Sequence, residues 1–120
     1  MRTVYRLLSA GQVALGVVHM SATAVLFDQF STRALWFASG GLAIALTGAL
    51  NLLREAYGNT APGVRWVAVT ANAALAVFTI LYGVAMGASP VQWAFVAILS
   101  GGPAVLSLVP SAQRPAGVAA

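Results

Sequence analysis

The chain has no cysteine and only two acidic residues, Asp28 and Glu55. The first absence excludes disulfides, thiolate metal ligands and a cysteine nucleophile. The second leaves no carboxylate cluster for a zinc or di-metal centre. It also leaves no Ser–His–Asp set around the single histidine, His19, because Asp28 sits at the rim of a span and His19 lies about 12 Å deeper by helical rise. No glycine-rich phosphate loop follows a strand. Charge of either sign is scarce: 7% of 120 residues, against roughly 25% in a soluble domain. Eight formal charges cannot clothe a soluble surface, so the chain belongs in a membrane. The net charge of +4 carries no nucleic-acid signal, since the six arginines are scattered and form no patch.

What is present is a set of long charge-free runs. Leu7–Phe27 lies between Arg6 and Asp28, and Ala34–Leu53 between Arg33 and Arg54. Each matches the ~20 apolar residues that cross a bilayer as one helix. From Trp66 to Gln113 no residue is charged, a stretch too long for one helix, and Gly87-Ala88-Ser89-Pro90 breaks it with a turn signal. Pro90 suits a first helical turn, where its missing N–H costs nothing. The chain is therefore expected to be an all-α integral membrane protein, a bundle of four transmembrane helices at about 5–27, 33–54, 64–86 and 90–109. Together these make one domain over 1–110, followed by a flexible tail at 111–120. Ala22-Thr23-Ala24 resembles a leader cleavage site. Gln12 and His19 inside the first run argue against a cleaved leader there.

Arginine placement sets the expected orientation. Arg2, Arg6, Arg54, Arg65 and Arg114 fall on the side shared by both termini, and Arg33 alone on the other. The bias puts both termini in the cytoplasm, in the cytoplasmic membrane of a bacterium. Tyr5 and Trp66 mark the inner interface, and Trp36 and Trp93 the outer one. Asp28 and Arg33 are expected to pair or to cap helix ends at the outer surface.

The two halves of the chain repeat. At an offset of sixty, Ala14, Leu15 and Val17 meet Ala74, Leu75 and Val77, while Gln12 falls on Asn72 and His19 on Thr79. At sixty-one, the Ser-Gly-Gly beginning at Ser39 meets that beginning at Ser100. A 2+2 internal repeat of this kind implies a pseudo-twofold axis along the membrane normal with a polar site near it.

Each span carries one small-or-polar stripe at helical spacing: Gln12, Gly16, His19, Thr23; Gly40, Ala43, Thr47, Asn51; Asn72, Ala76, Thr79, Gly83; Val96, Ser100, Pro103, Ser107. In lipid such stripes turn inward, since the hydrophobic effect no longer drives helices together. Depth counting places Gln12, Asn72 and Thr47 in an inner polar layer with Ser107. His19 falls in an outer layer with Thr79 and Tyr82, and Asn51 lower, beside Arg54. Gly40-Gly41 and Gly101-Gly102 read as close-packing sites, Gly83-x-x-x-Gly87 as a weaker one. Pro103 is expected to kink the fourth span and free the Leu99 carbonyl.

The functional expectation is a protein that binds or transports a small, mostly apolar ligand or small solute in a polar-lined seam. His19, Thr79 and Tyr82 would anchor it, and Gln12, Asn72 and Thr47 would form an inner gate. The narrow interior of a single chain favours a homo-oligomer. One alternative is haem held by His19 from two chains of a homodimer. Another is a non-catalytic subunit of a larger membrane complex. No catalytic residue is assigned, and enzyme activity ranks last.

Overall fold

A computed structural model describes residues 1–109. The expected tail at 111–120, and Arg114 within it, lie outside the described residues. Four helices account for nearly all the rest: α1 Arg2–Leu26, α2 Thr32–Tyr57, α3 Pro62–Met86 and α4 Pro90–Ser107. All four are long and apolar enough to cross a membrane. At 25 residues, α1 and α3 are each about 37 Å long, enough for the ~30 Å hydrocarbon layer.

Local sequence fixes the helix ends. The Ser31 hydroxyl accepts the Ala34 N–H at 3.2 Å and so caps α2. Neither Asp28 nor Arg33 forms an ion pair among the described residues; the one salt bridge there joins Arg2 to Glu55. Gly87 closes α3 in the left-handed region, φ 62°, where the Ala88 N–H returns to the Gly83 carbonyl. Two residues on, Ser89 and Gln92 form a reciprocal capping box and Pro90 fills the first turn of α4.

The fourth helix is not a simple kinked rod. A π turn spans Ala97–Gly101, and α-helix resumes at Gly102. The expected kink from Pro103 is thus met two residues upstream, where wider i→i+5 bonding absorbs the ring's intrusion. The glycine expectations divide in the same region. A Cβ on Gly101 would meet nothing nearer than 3.9 Å, whereas one on Gly102 would lie 3.1 Å from Leu8 Cδ1.

The helices form a ring: α1 packs along α2, α2 meets α3, α3 meets α4, and the C-terminal half of α4 returns to α1. The α1–α2 seam is the tightest. A Cβ on Gly16 would lie 2.5 Å from the Ala45 nitrogen and the Gly41 oxygen, and one on Gly48 2.7 Å from the Ser9 oxygen. Only hydrogen fits there, so backbones touch without side chains between them. The burial pattern is inverted relative to a soluble protein. Buried positions are dominated by Ser9, Gln12, Asn51, Arg54, Asn72 and Ser107, while Val18, Leu26, Leu46, Phe78, Leu81 and Ile98 face outward. An apolar exterior of this extent suits a lipid surround rather than water.

Candidate functional site

The half of the bundle containing the N-terminus of α1 holds a continuous polar cluster, built on Asn51. This side chain has no exposed surface. Its Nδ2 donates to Gln12 Oε1 and to Asn72 Oδ1, both at 2.9 Å. Its Oδ1 accepts from Tyr5 Oη at 2.8 Å and from Asn72 Nδ2 at 2.6 Å. Two donors and two acceptor lone pairs are therefore all engaged. Because hydrogen bonds replace hydration within the bilayer, this one amide ties α1, α2 and α3 together.

The remaining polar side chains line the approaches to that hub. Ser9 donates to the Tyr5 carbonyl at 2.7 Å, and Asn72 also donates to the Ala68 carbonyl at 2.9 Å. One turn from Asn51, Thr47 is buried but donates back to the Ala43 carbonyl of its own helix at 2.8 Å. On the other side of Asn51 lies Arg54, which is fully buried. Its Nη2 donates to the Ser107 carbonyl at the end of α4, and its guanidinium carbon lies 5.2 Å from the centre of the Tyr5 ring. Arg54 thus links α2 to α4, across the ring.

Of the inner layer expected from sequence, Gln12 and Asn72 meet through Asn51, and Thr47 adjoins them on α2. The outer layer has different partners. His19 stacks on Phe37 of α2, ring centroids 3.9 Å apart and planes 16° from parallel. Thr79 donates to Leu75 and Ala76 carbonyls of its own helix, at 2.9 and 3.0 Å. Tyr82 is more than half exposed and stacks on Phe78. Among the described residues no hydrogen bond joins His19 to Thr79 or Tyr82.

Sequence reasoning used Arg54 only as a topology marker and did not anticipate that its side chain would be buried in the polar cluster. A signal was available. The α2 stripe of Gly40, Ala43, Thr47 and Asn51 runs on by three residues to Arg54, so the arginine shares the inward face. Its charge obscured that continuity.

A second feature lies between α3 and α4. A partly open apolar cleft of about 360 Å³ is lined by Ala76, Ile80, Trp93, Val96, Ala97 and Ser100. Ala76 is one turn above Asn72, and Ala97 and Ser100 belong to the π turn. Gly83 lets the Trp93 ring of that lining pack against α3, because a Cβ there would lie 2.9 Å from the ring. Among the described residues no group of three or more His, Asp or Glu side chains could hold a metal ion.

No protein-family model matches the chain, and neither curated proteins nor solved structures provide a match. The functional reading therefore stands on the chain's own geometry.

Proposed function

We propose that this protein is a small membrane-embedded binding module, receiving or passing a small, mostly apolar ligand between its helices. The observation that carries the reading is the α3–α4 cleft. It is apolar and partly open, and it lies beside a helix interrupted by a π turn. Ligand sites characteristically combine an apolar wall with few polar groups, and π turns recur at functional positions. Ser100 supplies a hydroxyl at the wall, and the Asn72 network begins one turn below. Of the residues first expected to line the seam, Gln12, Asn72 and Thr47 belong to the supporting polar layer. His19, Thr79 and Tyr82 lie toward the other end of their helices as secondary contacts.

The finer architecture belongs to the same proposal. Both termini face the cytoplasm of a bacterial cell, on the arginine bias. The two helix pairs derive from a duplication. In support, Gln12 and Asn72, which correspond at an offset of sixty, both bond to Asn51. Copies of the chain associate into a homo-oligomer through exposed apolar faces such as that of Trp66, Val67 and Ala74.

Native mass spectrometry from mild detergent tests the reading. The wild-type chain should carry a small molecule that Ala76→Trp, which fills the cleft, loses while keeping its helical content. Identical spectra of bare chain for both proteins would overturn it. A dimer carrying haem would favour His19 as a ligand instead.

A further inference from the structure

Arg54 is a fully buried cation whose Nε and Nη1 have no hydrogen-bond partner among the described residues. Arginine cannot shed its charge to ease that burial. Among the described residues its guanidinium donates to one neutral carbonyl, that of Ser107, and lies against Tyr5. The nearest carboxylate along the chain, Glu55, is taken by Arg2. Among the described residues the other buried side-chain atom without a partner is Gln12 Nε2, across the Asn51 hub. The deficit is one-sided: every unmatched buried group in this cluster is an N–H donor, so what the site can receive is an acceptor, and next to a guanidinium the best acceptor is an anion.

We infer that Arg54 is the anchor of an oxyanion site that takes a phosphate group, presented by an anionic phospholipid. Planar guanidinium groups match phosphate geometry through paired N–H donors. The position is right for a headgroup: Arg54 lies in the last turn of α2, at the bundle end that also carries Arg6 and Arg65. Basic recesses at helix ends attract anionic lipids there. Entry requires the phosphate to displace the Ser107 carbonyl from Nη2, exchanging a neutral acceptor for a charged one. The exchange is local. Ser107 ends the six-residue α-helical segment Gly102–Ser107 that follows the π turn, so the carbonyl that must yield belongs to the last turn of α4. This site is separate from the α3–α4 cleft, and emptying one leaves the other intact.

The test uses the full chain in nanodiscs of phosphatidylcholine with one-fifth phosphatidylglycerol, ejected into a native mass spectrometer, with Arg54→Gln and the exposed-site control Arg6→Gln alongside. Wild type and Arg6→Gln should retain phosphatidylglycerol over phosphatidylcholine by about tenfold, equivalent to ~1.4 kcal/mol. Arg54→Gln should lose that preference. Thermal unfolding of detergent-solubilised wild type in sodium phosphate against sodium chloride at equal ionic strength identifies the source of the oxyanion. Stabilisation by inorganic phosphate with no lipid preference would overturn the headgroup assignment. Equal retention of both lipids by wild type, with no phosphate effect, would overturn the site altogether, and needs no variant to fold. Loss of the preference in Arg6→Gln as well as Arg54→Gln would reduce the effect to bulk charge and overturn it equally.

Discussion

Asn51 and Asn72 exchange two hydrogen bonds across the α2–α3 contact, Nδ2 to Oδ1 in each direction, at 2.9 and 2.6 Å. A paired amide of this kind fixes the rotation and the relative height of two helices at once. Apolar packing in lipid cannot do so, because one apolar face serves as well as the next.

Asn51→Leu should therefore be the most damaging substitution at the polar hub. It leaves Tyr5 Oη, Gln12 Oε1 and the Asn72 amide without their shared partner. With lost partners costing about 1–3 kcal/mol each in a buried setting, but nearer 0.6 in measured membrane pairs, we expect a loss of ~2–4 kcal/mol. Asn72→Leu removes fewer bonds and should cost about half as much. Denaturant unfolding in detergent measures both. The double variant should be less destabilised than the sum of the singles, because the two residues share their bonds.

Glycine substitutions should divide by what a methyl group would meet. At Gly16 and Gly48 the obstacle is the backbone of the facing helix, at 2.5 and 2.7 Å, and a backbone cannot rotate aside. Gly16→Ala and Gly48→Ala should each cost about 1–3 kcal/mol, the usual range for overpacking. Gly101→Ala should be neutral or slightly stabilising, since its nearest neighbour would be 3.9 Å away. Thermal unfolding of the three variants in one detergent checks the order, and equal losses at Gly101 and Gly16 would refute it.

The contrast between these glycines also shows what could be read without coordinates. Charge-free length was enough to place four helices, and the stripes were enough to turn Gly16, Thr47, Asn51 and Asn72 inward, although Ala43 on the α2 stripe is exposed and the neighbouring Gly41 is buried instead. Rotation and height of one helix against another were not legible. A helix of 3.6 residues per turn offers two adjacent glycines, such as Gly101 and Gly102, with equal claim to a contact, and only the π turn decides for Gly102. Stripe and depth together set His19 level with Thr79 and Tyr82, but neither says which helix a side chain faces. Arg54 was hidden by a rule that sends arginines to the water. That rule holds for exposed faces, and fails where a helix end is enclosed by three others.

Glu55 offers a check on how Arg54 is held. Glu55 is buried and its carboxylate pairs with Arg2, which remains partly exposed. If that pair is all that Glu55 provides, Glu55→Gln should cost only about 0.5–1 kcal/mol, as partly exposed pairs do. High salt should narrow the gap between variant and wild type. A loss above ~3 kcal/mol would mean that the carboxylate also neutralises the buried Arg54, since breaking a buried charge pairing costs about 3–5 kcal/mol.

His19 decides between a structural ring and a metal ligand. It lies face to face with Phe37 at 3.9 Å, and Phe27 leans on the same Phe37 ring at 5.6 Å. An aromatic of any kind can serve such a stack, so His19→Phe should keep the fold within ~0.5 kcal/mol, whereas His19→Ala should lose about 1 kcal/mol with the stacking contact. A haem ligand behaves differently: phenylalanine has no lone pair to give iron, and His19→Phe would then abolish any visible absorption band while leaving the apoprotein intact. Expression with added haem, followed by absorption spectra of wild type and His19→Phe, separates the two. We expect both proteins to be colourless and equally stable. A band in wild type that vanishes in the variant would make the imidazole a ligand, and would require the α1–α2 stack to open for iron to reach it.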